Sequence, residues 1–229
     1  MNQGWEKNGV FVVVPAWNEA KNISVVLSDL KKYYPADNIV VVDDGSADET
    51  YNLALANGVA VLRHPLNRGQ GAALQTGTDY ALSRGAEIIV HFDADGQHQA
   101  EEIAEWIKPV AAGEVEVVLG SRFLGKTAKN LPLSKKIFFK LIIPWHNLFT
   151  GLKLTDLHNG TRVLSRRAAE KIRITQDEMA HNSEIQSQIA KFRLPYREVP
   201  VEIIYNRYGR GAKTAMKILK DLIKKSLVG

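Results

Sequence analysis

The 229-residue chain carries 30 Lys+Arg against 25 Asp+Glu, a net charge of +5, and is 45% apolar, enough for one large α/β core. The charge is unevenly placed. Residues 210–229 set six basic side chains against Asp221 alone and residues 122–153 hold seven with no acid, leaving an acidic body at −7, which excludes a uniformly basic nucleic-acid binder. Zero cysteines exclude a disulfide scaffold and a Cys-ligated zinc. No apolar stretch approaches the ~20 residues of a membrane span, and MNQGWEKNG has no signal-peptide core, so a cytoplasmic chain, soluble or peripheral, is expected.

In chain order, the β-branched run 10–14 ends at Pro15 as a first strand, and Ile23, Val26, Leu27 and Leu30 recur at helical spacing with Asn18 as a cap. A buried strand over 39–42 comes next. Ser46-Ala47-Asp48-Glu49 has the form of a capping box opening a helix that stops at Gly58. A third strand covers 59–63 and a third helix about 70–84, then a strand over 88–92, a helix over 100–108 before Pro109, and a strand over 115–119. Repeated β-α units with fully apolar strands predict a parallel sheet covered on both faces. After Gly120 the rhythm breaks. Segment 131–152 mixes lysines with bulky apolar residues around Pro144; Ser165 caps a short helix, 183–192 is helical, and 196–204 alternates like a strand that Pro200 places at an edge. A lysine-rich helix ends the chain.

Ligands of open parallel sheets bind beyond the carboxyl ends of the strands. There the sequence sets Pro15-Ala16-Trp17-Asn18-Glu19, Asp43-Asp44-Gly45-Ser46, Asp93-Ala94-Asp95-Gly96-Gln97-His98 and Gly120-Ser121-Arg122. Asp93 and Asp95, leaving a strand one residue apart, can point hard oxygen ligands at a single Mg²⁺ or Mn²⁺, with Gln97 a third; the alternative is a strand cap followed by an ordinary Asp-Gly turn. One carboxylate of Asp43-Asp44 can accept from a nucleobase or ribose, or the pair simply forms a turn. Asn67-Arg68-Gly69-Gln70-Gly71 looks like a phosphate cradle but has neither P-loop nor GxGxxG spacing, so close packing is the competing reading and nucleoside-triphosphate hydrolysis is excluded.

These motifs, in this order, resemble those of family 2 glycosyltransferases. They are residues 12–19 (VVVPAWNE), 40–50 (VVVDDGSADET), 67–77 (NRGQGAALQTG), 92–98 (FDADGQH), 120–123 (GSRF), 155–162 (TDLHNGTR) and 198–201 (EVPV) followed by Arg207. The nearest likeness is to the branch containing dolichol-phosphate mannosyltransferase and polyprenyl-phosphate glycosyltransferases, and it spans about residues 10–213. The resemblance implies a single GT-A domain over 1–229, Rossmann-like, with a mostly parallel sheet flanked by helices. Residues 10–125 would form the nucleotide-sugar half and 126–212 the acceptor side, with 213–229 an amphipathic basic extension. It implies that Pro15, Trp17, Glu19, Asp43, Asp44, Gly71, Asp93, Ala94, Asp95, Arg122 and Arg207 bind a UDP- or GDP-sugar, and that Asp93, Asp95 and Gln97 hold Mg²⁺ or Mn²⁺. Asp156 matches the base or acceptor-orienting aspartate; its plainer reading is a strand-end carboxylate paired with a neighbouring base.

The reaction implied is inverting transfer to a polyprenyl phosphate. The alternatives are transfer to a hydroxyl of a soluble glycan or protein, and a non-catalytic binding module. Thr161 stands where the branch usually has Phe, which predicts a missing aromatic wall near the acceptor. Ala212 stands where Ser is common. His98, His158 and His181 are acid–base candidates or plain polar residues. Both basic segments set Lys beside Leu, Ile, Phe and Trp, a pattern that fits a membrane interface, a partner protein or self-packing.

Overall fold

The computed structural model describes residues 9–124, 143–157, 159–177 and 180–202. The chain runs β1 (Val10–Ala16), α1 (Ile23–Leu30), β2 (Ile39–Asp43), α2 (Thr50–Ala56), β3 (Ala60–Arg63), α3 (Gln70–Ser83) and β4 (Ile88–His91). It continues through α4 (Ile103–Ala111), β5 (Val117–Ser121), a helical segment α5 over 143–150, β6 (Arg162–Ser165), α6 (Arg166–Lys171), α7 (His181–Lys191) and β7 (Tyr196–Pro200). Seven strands form one sheet in the order β3-β2-β1-β4-β6-β5-β7. All pairs are parallel except those of β6, which lies antiparallel between β4 and β5.

Strand alternation sorts the core. Val10, Val12, Val14, Ile39, Val41 and Val90 face α1 and α4, whereas Phe11, Val13, Val40, Val42 and Ile89 face α3, α6 and α7. Each such side chain taken out of water contributes about 1.5–3 kcal/mol, so strands apolar on both faces are stable only with a helix layer on each side. Both layers are present, as the unbroken apolar runs predict.

Local capping signals are realised unevenly. Ser165 caps α6, its hydroxyl accepting from Ala168 N, and β7 is an edge strand ending at Pro200. Helix α2 stops at Asn57 with Gly58 in the left-handed region, as expected. The capping box does not form. Ser46 Oγ accepts from Asn18 N instead, and Asp48 takes Thr50 N and Ala20 N, so these side chains tie the first strand-end loop to the second. Asn18 likewise caps no helix; α1 begins at Ile23, and Asn18 Oδ1 accepts from Ala47 N.

Two prolines lie inside elements that the sequence pattern has them end. Pro15 belongs to β1 but pairs only with β2, because β4 pairing stops at Val13↔His91 and no second neighbour needs its missing N–H. Pro109 sits within α4, where it forgoes one backbone bond near the helix end while its own carbonyl accepts from Glu114 N. Strand β6 has no clear signature in the sequence. Its two apolar residues are flanked by Arg162 and Ser165, and four residues are too few to show a period.

Candidate active site

Because β6 is antiparallel to both neighbours, the carboxyl ends of β1, β2, β4 and β5 and the amino end of β6 share one edge of the sheet. The strand-end residues named from sequence meet there. Pro15 is buried in β1, and Trp17, just beyond it, is 41% exposed. Glu19 Oε2 accepts from Asn22 Nδ2. At the end of β2, Asp43 and Asp44 are both buried but serve differently. Asp43 forms an ion pair with Arg63, Oδ2 lying 3.1 Å from Nε, while Oδ1 accepts from Ser46 N at 3.4 Å and the side chain is 0% exposed.

Asp44 is turned inward and filled. Its carboxylate contacts His64 Nδ1 at 2.7 Å and accepts from Arg68 N at 3.0 Å and Gly69 N at 2.7 Å, which folds the 66–70 loop against β2. His64 reaches on to Thr76 Oγ1. Gly71 also proves to be a packing position. Its N–H is donated to Asp177 O at 2.8 Å, and a Cβ there would stand 2.1 Å from Gln176 O, so no larger residue fits. The competing close-packing reading of the Gly-rich helix start matches this placement.

The Asp93-Ala94-Asp95 loop leaves β4 with Ala94 buried and both carboxylates partly shielded. Burial pushes the Asp93 carboxyl up, opposed by the charge of Arg162 and the Gln70 hydrogen bond and reinforced by Glu19. Burial also raises Asp95, and the Asp93 charge raises it further. Two oxygen-donor carboxylates that penalise each other's charge are what a hard divalent cation relieves, so the donor set fits Mg²⁺ or Mn²⁺. Gln97 is half-buried, and its backbone N–H is donated to Asp95 Oδ1. Among the described residues no cluster of three His, Cys, Asp or Glu side chains surrounds a point; such a cation would draw its remaining ligands from substrate or water.

Arg122 and Asp156 are brought together as a pair. Arg122 donates through Nε to Oδ2 and through Nη2 to Oδ1, both at 2.7 Å, and through its backbone N to Oδ2 at 3.1 Å. The Asp156 side chain is 0% exposed and that of Arg122 15%. Glu198 supports the pair by accepting from Thr155 N and Asp156 N, with burial holding its own carboxyl above the usual range. Arg207 and His158 lie outside the described residues.

Thr161 and Arg162 shape the floor. Thr161 is buried with its hydroxyl 3.2 Å from His98 Nε2, so the position lacking the usual aromatic packs against the loop that follows β4. His98 itself sits edge-on to Phe92 and Trp106, and burial lowers it to about 4, a neutral packing histidine. His181 is fully buried in α7. Arg162 is also buried, donating to Asn159 O and Asn182 Oδ1, and desolvation lowers it to about 10 against the opposing pull of Asp93. Sequence reasoning misses Gln70, His64 and the supporting role of Glu198. Gln70 and Glu198 sit inside the family-like motifs, but their partners come from distant segments.

Comparison with known proteins identifies the family and the fold. A relative from Methanococcus voltae, a UDP-N-acetylglucosamine–dolichyl-phosphate N-acetylglucosaminyltransferase, is 34% identical, covering 91% of each chain. The polyprenol monophosphomannose synthase of Mycolicibacterium smegmatis is 34% identical over 70% of this chain and 63% of its own. In fold, the chain is similar to glucosyl-3-phosphoglycerate synthase from Mycobacterium tuberculosis, solved with Mn²⁺, UDP and glucosyl-3-phosphoglycerate, at a TM-score of 0.66 and 19% identity, over 93% of this chain and 80% of that one. The family model for glycosyl transferase family 2 matches residues 11–173, and with the paired carboxylates at the end of β4 this places the chain in that family as a glycosyltransferase with a GT-A fold.

Proposed function

We propose that the protein transfers a sugar, with inversion, from a nucleoside-diphosphate sugar to a polyprenyl phosphate. The observation that carries the acceptor class is the Arg122–Asp156 pair. A hydroxyl acceptor needs a base within reach of its proton, whereas a phosphate monoester arrives already ionised. Asp156 is buried and takes three hydrogen bonds from Arg122. It is suited to aim a guanidinium at phosphate oxygens rather than to remove a proton. The relatives whose names specify dolichyl- or polyprenyl-phosphate chemistry support the same acceptor.

In this reading Trp17 and Asp43 receive the nucleoside, and Asp44 holds the loop behind it. Asp93, Asp95 and Gln97 hold Mg²⁺ or Mn²⁺, which when bound offsets charge on the departing diphosphate. Arg122, with Arg207, stabilises the phosphate oxygens. An acceptor phosphate oxygen forms the new bond to the anomeric carbon as the bond to the nucleoside diphosphate breaks on the opposite face.

Helix α5 supports a membrane-facing acceptor side. Trp145, Leu148 and Phe149 are 64%, 75% and 81% exposed, and the rings of Trp145 and Phe149 stack at 6.2 Å. Such a cluster suits the headgroup boundary, where Lys153 would meet anionic lipid. No helix among the described residues is long and apolar enough to cross a membrane. The extension over 213–229 lies outside the described residues.

The test is transfer from radiolabelled UDP- and GDP-sugars, with Mn²⁺, to undecaprenyl phosphate in detergent. Product extractable into organic solvent and absent without metal is expected. Transfer only to soluble hydroxyl acceptors would overturn the acceptor assignment.

A further inference from the structure

The start of α3 is held at three successive residues. Gly69 N–H is donated to Asp44 Oδ2 at 2.7 Å, Gly71 N–H to Asp177 O at 2.8 Å, and between them Gln70 extends its side chain to Asp93, with Nε2 2.8 Å from Oδ1. The other face of the same carboxylate is closed by Gly160, where a Cβ would stand 2.3 Å from Asp93 Oδ2 and 2.9 Å from its Cγ. Asp93 therefore has one oxygen anchored and the other bounded by backbone, and its rotamer is set from two distant segments. Gln70 is in turn fixed by a loop whose shape Asp44 dictates.

We propose that Gln70 is a positioning residue for the donor site. Its amide orients Asp93 and links the Asp44 loop, behind the nucleoside, to the loop that would hold the metal. An amide suits this better than a cation: it donates one bond to the carboxylate without neutralising the charge a divalent ion needs. Supporting contacts one step behind a ligand commonly change metal affinity by 10–100-fold when removed. The inference rests on the proposed donor site.

The test is binding of Mn²⁺ with UDP, monitored by the electron paramagnetic resonance signal of free Mn²⁺, so that turnover is not required. Gln70→Met keeps length and bulk but removes the donor. It is expected to weaken Mn²⁺·UDP binding ten-fold or more while Tm stays within about 3 °C of wild type, a local change of under ~1 kcal/mol. Gln70→Glu sets a second carboxylate against Asp93 and is expected to be weaker still. Gly160→Ala approaches the same carboxylate from the other side and should give the same loss. If transfer is assayed, the donor KM should rise more than kcat falls.

Wild-type binding that Gln70→Met leaves within two-fold overturns the inference but not the donor site itself. A lowered Tm with unchanged affinity of the folded fraction also overturns it, by making the contact purely structural. Failure of the wild-type protein to bind Mn²⁺·UDP overturns both.

Discussion

Removing Asp156 separates two roles that sequence alone leaves entangled. In the folded protein its carboxylate accepts three hydrogen bonds from Arg122, two of them at 2.7 Å, with its own side chain fully buried. Truncating one member of a buried pair strands the other, typically at a cost of about 3–5 kcal/mol. The 15% exposure of Arg122 lets some water return, so about 3 kcal/mol is expected for Asp156→Ala, or roughly 6–12 °C of Tm in a chain of this size. Asp156→Asn keeps one acceptor and should lose about half as much.

A double-mutant cycle with Arg122→Ala isolates the pair by thermal and urea denaturation; a coupling of about 2 kcal/mol is expected. Kinetically, Asp156→Ala and Arg122→Ala should lower kcat/KM by similar factors, and the double variant should be little worse, because both disrupt one unit. A coupling under about 0.5 kcal/mol would overturn the paired role of these two residues. So would a large loss of kcat in Asp156→Asn with Tm unchanged, because the carboxylate would then act on the acceptor itself.

Other parts of the site carry their own expected outcomes. Saturating Mn²⁺·UDP, at about a hundred times Kd, should stabilise the wild-type protein by about 2.7 kcal/mol, and Asp95→Ala should abolish the gain in a thermal-shift assay. Glu198 has a folded-state pKa above its unfolded value, so its contribution is fully present below the unfolded pKa and is lost as pH rises through the raised one. The Tm of Glu198→Gln relative to wild type should therefore climb as pH rises above the unfolded carboxylate pKa, and a flat difference would contradict the burial effect. Replacing Trp145, Leu148 and Phe149 together by Ser should leave Tm nearly unchanged, since all three are exposed, while abolishing flotation with anionic liposomes. Ser46→Ala, which frees Asn18 N and loosens the first strand-end loop, should cost about 1 kcal/mol and raise the donor KM.

Much of the framework is legible because the strands are apolar without interruption. Apolar runs such as 39–42 point to a sheet buried on both faces, and candidate chemistry is then sought just after each run. That logic finds Asp43, Asp93, Asp95 and Arg122. It fails where a residue answers to a neighbour remote in sequence. Ser46 and Asp48 read as a helix cap because S-A-D-E is a local pattern, yet Ser46 accepts from Asn18 N and Asp48 also takes Ala20 N, each 28 residues away. Pro15 and Pro109 read as terminators because a sequence does not show which N–H groups lack a partner strand or turn.

By itself the sequence determined the layered α/β class and the gathering of the acidic strand-end loops at one edge of the sheet. Those depend on hydrophobic period and chain direction, which are properties of consecutive residues. Tertiary structure alone decided what each polar group does there. Asp44 holds a loop while Asp43 pairs with Arg63, Gly71 makes room for a neighbouring backbone, and Arg122 and Asp156 form one unit. It also inserted β6 between β4 and β5, bringing Gly160 against Asp93 and burying Arg162 behind it. The physical reason is that a carboxylate's role is set by which donors reach it, and for Asp44, Asp93 and Asp156 those donors include groups 20 to 34 residues away.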